Sequence, residues 1–205
     1  MQSFRIIDPC VMLNPVPAVM VSCRRNEQER PNIITVAWAG TVNTTPPMLS
    51  VSVQKRRFSH DIIRESGEFV VNLVDAAHCE DMDWCGVKSG RELDKFAERH
   101  LTPVPAEEMR YAPAIGECPA YLCCKVRQML ELGSHDLFLA EIVGVHVADS
   151  LFDEDGSMHL ERAGLVCYNH GLYQRVGQVL GFFGYSVARP QIREKRLRAY
   201  KIRKP

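Results

Sequence analysis

Along the first third of the chain, apolar and polar positions fall into three runs with the two-residue period of strands, at residues 33–40, 48–54 and 68–74. The middle run alternates most regularly, with Leu49, Val51 and Val53 on one face and Ser50, Ser52 and Gln54 on the other. Residues 15–23 predict an earlier strand entered through prolines, and the polar stretch 24–30 makes a wide hairpin loop with the next one. Between the second and third runs, Lys55, Arg56 and Arg57 lead into Ser59, which reads as the N-cap of a short helix. Ile62 and Ile63 of that helix can be buried, and Gly67 supplies a left-handed stop.

After residue 74 the spacing turns helical through Ala76, Ala77, Cys79 and Met82, and Trp84-Cys85-Gly86 breaks it. Ser89 and Glu92 have the form of a capping box ahead of an apolar stripe at Leu93, Phe96, Ala97 and Leu101. Residues 102–119 are rich in proline and acids and predict a surface excursion with at most a short strand. Strands return at 120–132, where Leu122, Cys124, Val126, Leu130 and Leu132 are expected on one face, and at 137–148, across a turn at 133–136. A further turn is expected at 153–156. Residues 165–186 are too dense in glycine and aromatics for a regular helix. Short strands joined by turns predict a mainly β fold, an antiparallel barrel with peripheral helices.

Composition changes this picture little. With 205 residues and 46% hydrophobic content the chain can bury one sizeable core, read as a domain over 1–190 with a basic tail at 191–205. A formal net charge of +0 argues against bulk attraction to nucleic acid or acidic membranes. Charge is uneven, because Arg193, Lys195, Arg196, Arg198, Lys201, Arg203 and Lys204 crowd the tail, which reads as a solvated arm. No apolar run reaches the roughly 20 residues of a membrane span, and there is no secretory core, so a cytoplasmic protein is expected. Its 8 cysteines are then reduced thiols rather than a disulfide framework, and no metal site is assigned.

The cationic loop that ends where a helix begins carries the clearest chemistry. Free backbone N-H groups, the positive end of the helix dipole, a serine hydroxyl and guanidinium groups converge there, as a bound phosphate requires. In the preceding strand Thr35, Ala37 and Ala39 are small, so a flat ring could approach the backbone and take hydrogen bonds from amides of 35–40 and 52–54. The same small residues fit close packing of backbone against backbone equally well.

Taken in order, several pieces resemble the flavin reductase-like proteins with an FMN-binding split β-barrel, the group that includes flavoredoxin. They are Asn32 through Trp38, Pro46 through Ser52, Ser59 with Ile62 and Ile63, and Gly67 through Leu73. Ser89-Gly90 with Asp94-Lys95-Phe96, His135 with Leu137-Phe138, and residues 168–186 complete the set. The resemblance implies a Greek-key split barrel that holds FMN. Asn32, Thr35, Val36, Ala37 and Trp38 would line the isoalloxazine, and Ser52, Val53 and Gln54 would offer backbone contacts. Arg57 and Ser59 would hold the phosphate, Lys95 would bring a positive charge, and His135 and Tyr168 would close the ring side. Each has a plainer alternative: Trp38 and Tyr168 as core aromatics, Arg57 as a solvated charge, Lys95 paired with Glu92 or Glu98.

No catalytic residue is assigned, although His135, which can titrate near a ligand, and Cys85, ahead of Ser89, are candidates. Two activities fit the resemblance. One is electron transfer from NAD(P)H, as co-substrate, to FMN; the other is an electron-carrying flavoprotein that works with a redox partner protein. A homodimer is expected as well, since residues 33–38, 69–74 and 137–147 are apolar on both faces and so call for burial on both sides.

Overall fold

The computed structural model describes residues 2–200. It begins with two short strands, β1 (Val16–Pro17) and β2 (Val19–Cys23), where one was expected. β2 pairs antiparallel with β3 (Asn32–Val36) across the wide polar loop. The apolar run 33–40 is not one strand: it bends at Ala37 and Trp38, and the chain resumes as β4 (Ala39–Asn43) before β5 (Met48–Gln54). Helix α1 (Phe58–Ser66) leads through Gly67 to β6 (Glu68–Leu73). Gly67 has φ 70°, and its N-H closes the helix on the Ile63 carbonyl, the left-handed stop that glycine adopts without steric cost.

The helical stretch that follows is a 3-10 turn (Ala76–His78) continued by α2 (Cys79–Val87), so Trp84-Cys85-Gly86 does not break it. No capping box forms at Ser89. The next helix, α3 (Lys95–Glu98), is capped by Asp94, whose carboxylate accepts the Phe96 and Ala97 amides, while the Ser89 hydroxyl accepts only the Arg91 N-H of a turn. The remaining elements are β7 (Pro103–Val104), β8 (Ala114–Ile115), β9 (Ala120–Glu131), β10 (His135–Val147), β11 (Val166–Asn169), β12 (Leu172–Arg175) and α4 (Pro190–Ala199). α4 takes up the start of the basic tail, and Lys201, Arg203 and Lys204 lie outside the described residues.

Seven strands form one antiparallel sheet in the order β3-β2-β6-β9-β10-β5-β4. Its two edge strands, β3 and β4, are consecutive in sequence and joined only by Ala37 and Trp38. The sheet must therefore curl until its edges nearly meet, and the Ser52 amide, donating to the Trp38 carbonyl at 2.8 Å, carries the β4–β5 ladder up to that junction. The result is a barrel left open along one seam. Its interior holds Val21, Ile34, Val51, Val53, Ile62, Ile63, Phe69, Cys124 and Phe138. Each such side chain, wholly buried, contributes roughly 1.5–3 kcal/mol.

The outer faces expected to need a partner are largely covered by the chain itself. Met20 and Ile33 pack under Met82, Cys85 and Phe96 of α2 and α3. Val70 and Cys123 pack under Ala106, Ala112 and Ala114, so residues 102–119 are more than a surface excursion. Two buried polar side chains of β6 tie that segment down. The Glu68 carboxylate accepts the amides of Arg110, Tyr111 and Ala112 at 2.5–3.0 Å, and the Asn72 side-chain oxygen accepts the Ile115 N-H. A bulge between the residue pairs at Leu139 and Ala140 reverses the facing of β9. Beyond Val126 it is Met129 that packs inward, and Leu130 and Leu132, expected on the same face as Val126, are exposed. Among the described residues, no helix is long and apolar enough to cross a membrane.

Candidate functional site

Two clefts adjoin at the open seam and share Ile34 and Arg57 in their walls. The first, about 260 Å3, lies between the end of β3, the start of α1 and the loop after α2. Arg57, not Ser59, is the N-cap of α1: its backbone is extended (φ −74°, ψ 136°) and no side chain caps the helix, so the positive helix end is left for a ligand. The Arg57 guanidinium is fixed by donating to the Gly86 carbonyl at 3.0 Å. Ser59, in the first turn of the helix, is buried and accepts a hydrogen bond from the Asn32 side-chain amide at 2.8 Å, which leaves its own hydroxyl hydrogen to donate.

Lys95 enters this cleft from α3. Its ammonium is 3% exposed and donates to the carbonyls of Ile33 (2.7 Å) and Cys85 (2.6 Å), not to Glu92 or Glu98. Burial pulls its pKa down to about 8, and the Arg57 guanidinium pushes the same way against the Cys85 and Cys23 thiols. A buried cation beside a second cation and an uncapped helix end is suited to an anion. Cys85 lines the cleft too, but burial pushes its thiol up to about 11, so it remains protonated and is a poor nucleophile.

The second cleft, about 200 Å3, runs along the seam past Thr35, Val36, Ala37 and Trp38 on one side and Ser52, Val53 and Gln54 on the other. His135 and Tyr168 close it. Tyr168 meets Trp38 edge to face at 6.2 Å and Tyr173 at 5.9 Å, and the Tyr173 hydroxyl donates to Asp83. His135 is the first residue of β10, opposite Gln54, with Nδ1 held by the Ser134 hydroxyl at 2.9 Å, so Nε2 is the nitrogen left for a ligand. Two expected contacts are already used within the protein. The Thr35 hydroxyl donates to the Met82 carbonyl, and the Ser52 amide donates to the Trp38 carbonyl at the end of the β4–β5 ladder.

The structure thus gathers Asn32, Arg57, Ser59 and Lys95 at one pole and Thr35 through Trp38, Ser52 through Gln54, His135 and Tyr168 at the other. Sequence reasoning missed Phe58 and Lys88 in the wall of the first cleft and the role of Gly90. A Cβ on Gly90 would lie 1.9 Å from the Asn32 side-chain oxygen, so only glycine lets Asn32 reach Ser59. Gly90→Ala is expected to displace Asn32 and lower affinity for the site's ligand by about tenfold, the worth of one well-made hydrogen bond in a buried site, with little change in melting temperature. Unchanged ligand affinity in a titration of the variant would show that Asn32 has no part in binding.

Known proteins place this geometry. Residues 12–176 match the family model of the flavin reductase like domain. Flavoredoxin of Desulfovibrio vulgaris (Miyazaki F) is 31% identical and superimposes with a TM-score of 0.81 over 88% of this chain and 97% of its own. An FMN-binding protein from Thermus thermophilus is 26% identical, with a TM-score of 0.71 over 87% of this chain and 98% of its own. The reductase component of a 4-nitrophenol monooxygenase from Rhodococcus opacus is 28% identical over 109 residues, 53% of this chain and 55% of that protein. The seven-stranded barrel open at one seam is the split barrel of these structures, and the chain belongs to the flavin reductase-like family.

Proposed function

We propose that the chain binds FMN in the joined clefts and passes electrons from NAD(P)H to it. The carrying observation is a single trough with a cationic, helix-terminal pole and an aromatic, small-residue pole, bridged by Arg57. The residues present fit the cofactor: Arg57, the Ser59 hydroxyl and Lys95 at one end suit a phosphate dianion, and the flat seam between Ala37 and Val53 suits a ring. FMN, when bound, supplies the redox chemistry of its ring. The protein's part is to hold the phosphate, wedge the ring between Trp38, Tyr168 and the seam, exclude water there, and present His135 Nε2 as a proton-holding group at the ring side. Residues 1–190 make up this domain, and among the described residues none from 191 onward lines either cleft.

Anaerobic mixing of the FMN-loaded protein with NADH or NADPH tests the activity, with rapid bleaching of the flavin expected. Similarity to flavoredoxin supports a second reading, an electron carrier with a redox partner protein. It requires slow bleaching by both nucleotides and fast exchange with a reduced protein donor.

A homodimer belongs to the same proposal, and it no longer rests on the sheet faces. It rests on apolar side chains left open at Phe4, Ile6, Leu13, Val42, Leu180 and Phe183, and on an apolar hollow lined by Val11, Met12, Leu13, Val16 and Trp38. Sedimentation at micromolar concentration is expected to give twice 23.2 kDa, and a 23.2 kDa species that still binds FMN would exclude the dimer. A cytoplasmic location, with no nucleic-acid or membrane partner, fits the balanced charge.

A further inference from the structure

Away from the seam, on the outer face of the sheet, the segment between β7 and β8 brings Glu108 over the start of β9 and the end of β10. There the Glu108 carboxylate, the Cys123 sulfur and a ring nitrogen of His146 lie within 4.8 Å of one another. None of them lines either cleft. We propose that Glu108, Cys123 and His146 form a zinc site, with a fourth position open to solvent.

The donor set is of the kind zinc takes, one thiolate, one imidazole and one carboxylate. His146 Nε2 stands 3.0 Å from both Glu108 oxygens. That is near the ~3.3 Å that separates two ligands about 2.0–2.1 Å from a tetrahedral zinc, so small side-chain adjustments would seat the ion. The fold holds the ligands in place. Cys123 is wholly buried on β9, and its outward facing is the opposite of Cys124, which points into the barrel. His146 stacks against Tyr121 with centroids 4.6 Å apart and planes 13° from parallel. Gly144 lies beneath Glu108, where a Cβ would come within 2.4 Å of the carboxylate, and a bulge between Ile142 and Gly144 aims this part of β10.

The Cys123 thiol is buried facing the Glu108 carboxylate, with the Glu68 carboxylate of β6 on the same outer face of the sheet. A bound zinc ion would displace the thiol proton and make the thiolate outright. The side chains of His146 and Glu108 are 35% and 30% exposed, so the mouth and the fourth ligand position face water. The ion would clip the segment 102–119 to the sheet from its middle, beside the hydrogen bonds that this segment's amides donate to Glu68 and Asn72.

The full chain, stripped with a chelator and titrated with Co2+ as the probe, is expected to bind one ion per chain with a thiolate-to-cobalt charge-transfer band that Zn2+ abolishes by competition. Cys123→Ser should remove the band, and Cys10→Ser should keep it. His146→Asn and Glu108→Gln, at the exposed mouth, should fold normally by circular dichroism. They should weaken the metal by more than the ~10–100-fold that loss of an outer-shell partner costs, and they carry the test even where Cys123→Ser does not fold. Absence of saturable Co2+ or Zn2+ binding by the wild-type chain would leave a hydrogen-bonded cluster only and overturn the proposal. So would a charge-transfer band that survives Cys123→Ser, or metal affinity unchanged in His146→Asn.

Discussion

Replacing Arg57 by alanine is expected to weaken FMN by about tenfold or more while leaving riboflavin nearly unaffected. The guanidinium is anchored to the Gly86 carbonyl at the uncapped start of α1, so it meets a phosphate without first being ordered. A charge-assisted hydrogen bond is worth roughly 1.5–3 kcal/mol, and only FMN has the charge that draws it. Parallel titrations of the two flavins by fluorescence check this. Equal losses for both would place the phosphate elsewhere and make Arg57 a general wall of the cleft.

Lys95→Met should cost FMN affinity by about tenfold or more as well, and it should flatten a pH profile. In the free protein burial brings the Lys95 pKa down to about 8. A phosphate dianion beside the ammonium stabilises its charged form and raises that value, so binding takes up a proton above about pH 8. Wild-type affinity for FMN is therefore full below about pH 8 and falls as pH rises toward the pKa of the complex. For folding itself the sign is opposite. The native pKa lies below the unfolded value of 10.5, the unfolded chain holds more protons between the two, and stability rises with pH from about 8 to 10.5. Lys95→Met should lose both slopes. Its net effect on stability should be small, because the unpaired Ile33 and Cys85 carbonyls are offset by the charge no longer buried. A wild-type affinity that is level from pH 7 to 10 would contradict the role given to Lys95.

Much of the barrel could be read from local pattern, since β5 and β6 need only alternation and Gly67 only a positive φ. What local pattern could not supply depended on distant parts of the chain. Ala37 and Trp38 are good strand residues, and they bend because the edges of a closing sheet must be joined there. Ser59 has the chemistry of a cap, but its hydroxyl is claimed by Asn32 from 27 positions away. Asp94 and Ser89 both fit a helix start, and packing of Phe96 under β3 selects the former. Glu68 and Asn72 face outward from the barrel and are nevertheless buried, because the amides of residues 110–115 come to them.

For the site, Arg57 could be read from a cationic loop that ends at a helix start, whereas Lys95 entered only through the family resemblance, because nothing in its local sequence shows that it is buried. Gly90 could not be read, because its close approach to Asn32 joins segments far apart in sequence. The Glu108, Cys123 and His146 group was equally hidden, with its three donors on three different segments.

The central claim is that the joined clefts hold one FMN. Adding FMN to flavin-free protein and following flavin fluorescence tests it most directly, since a ring placed beside Trp38 and Tyr168 is quenched. The account predicts saturation at one FMN per chain, with riboflavin binding more weakly and inorganic phosphate competing. Fluorescence that stays at its free value through the titration, or FMN and riboflavin binding alike with no competition from phosphate, would contradict it.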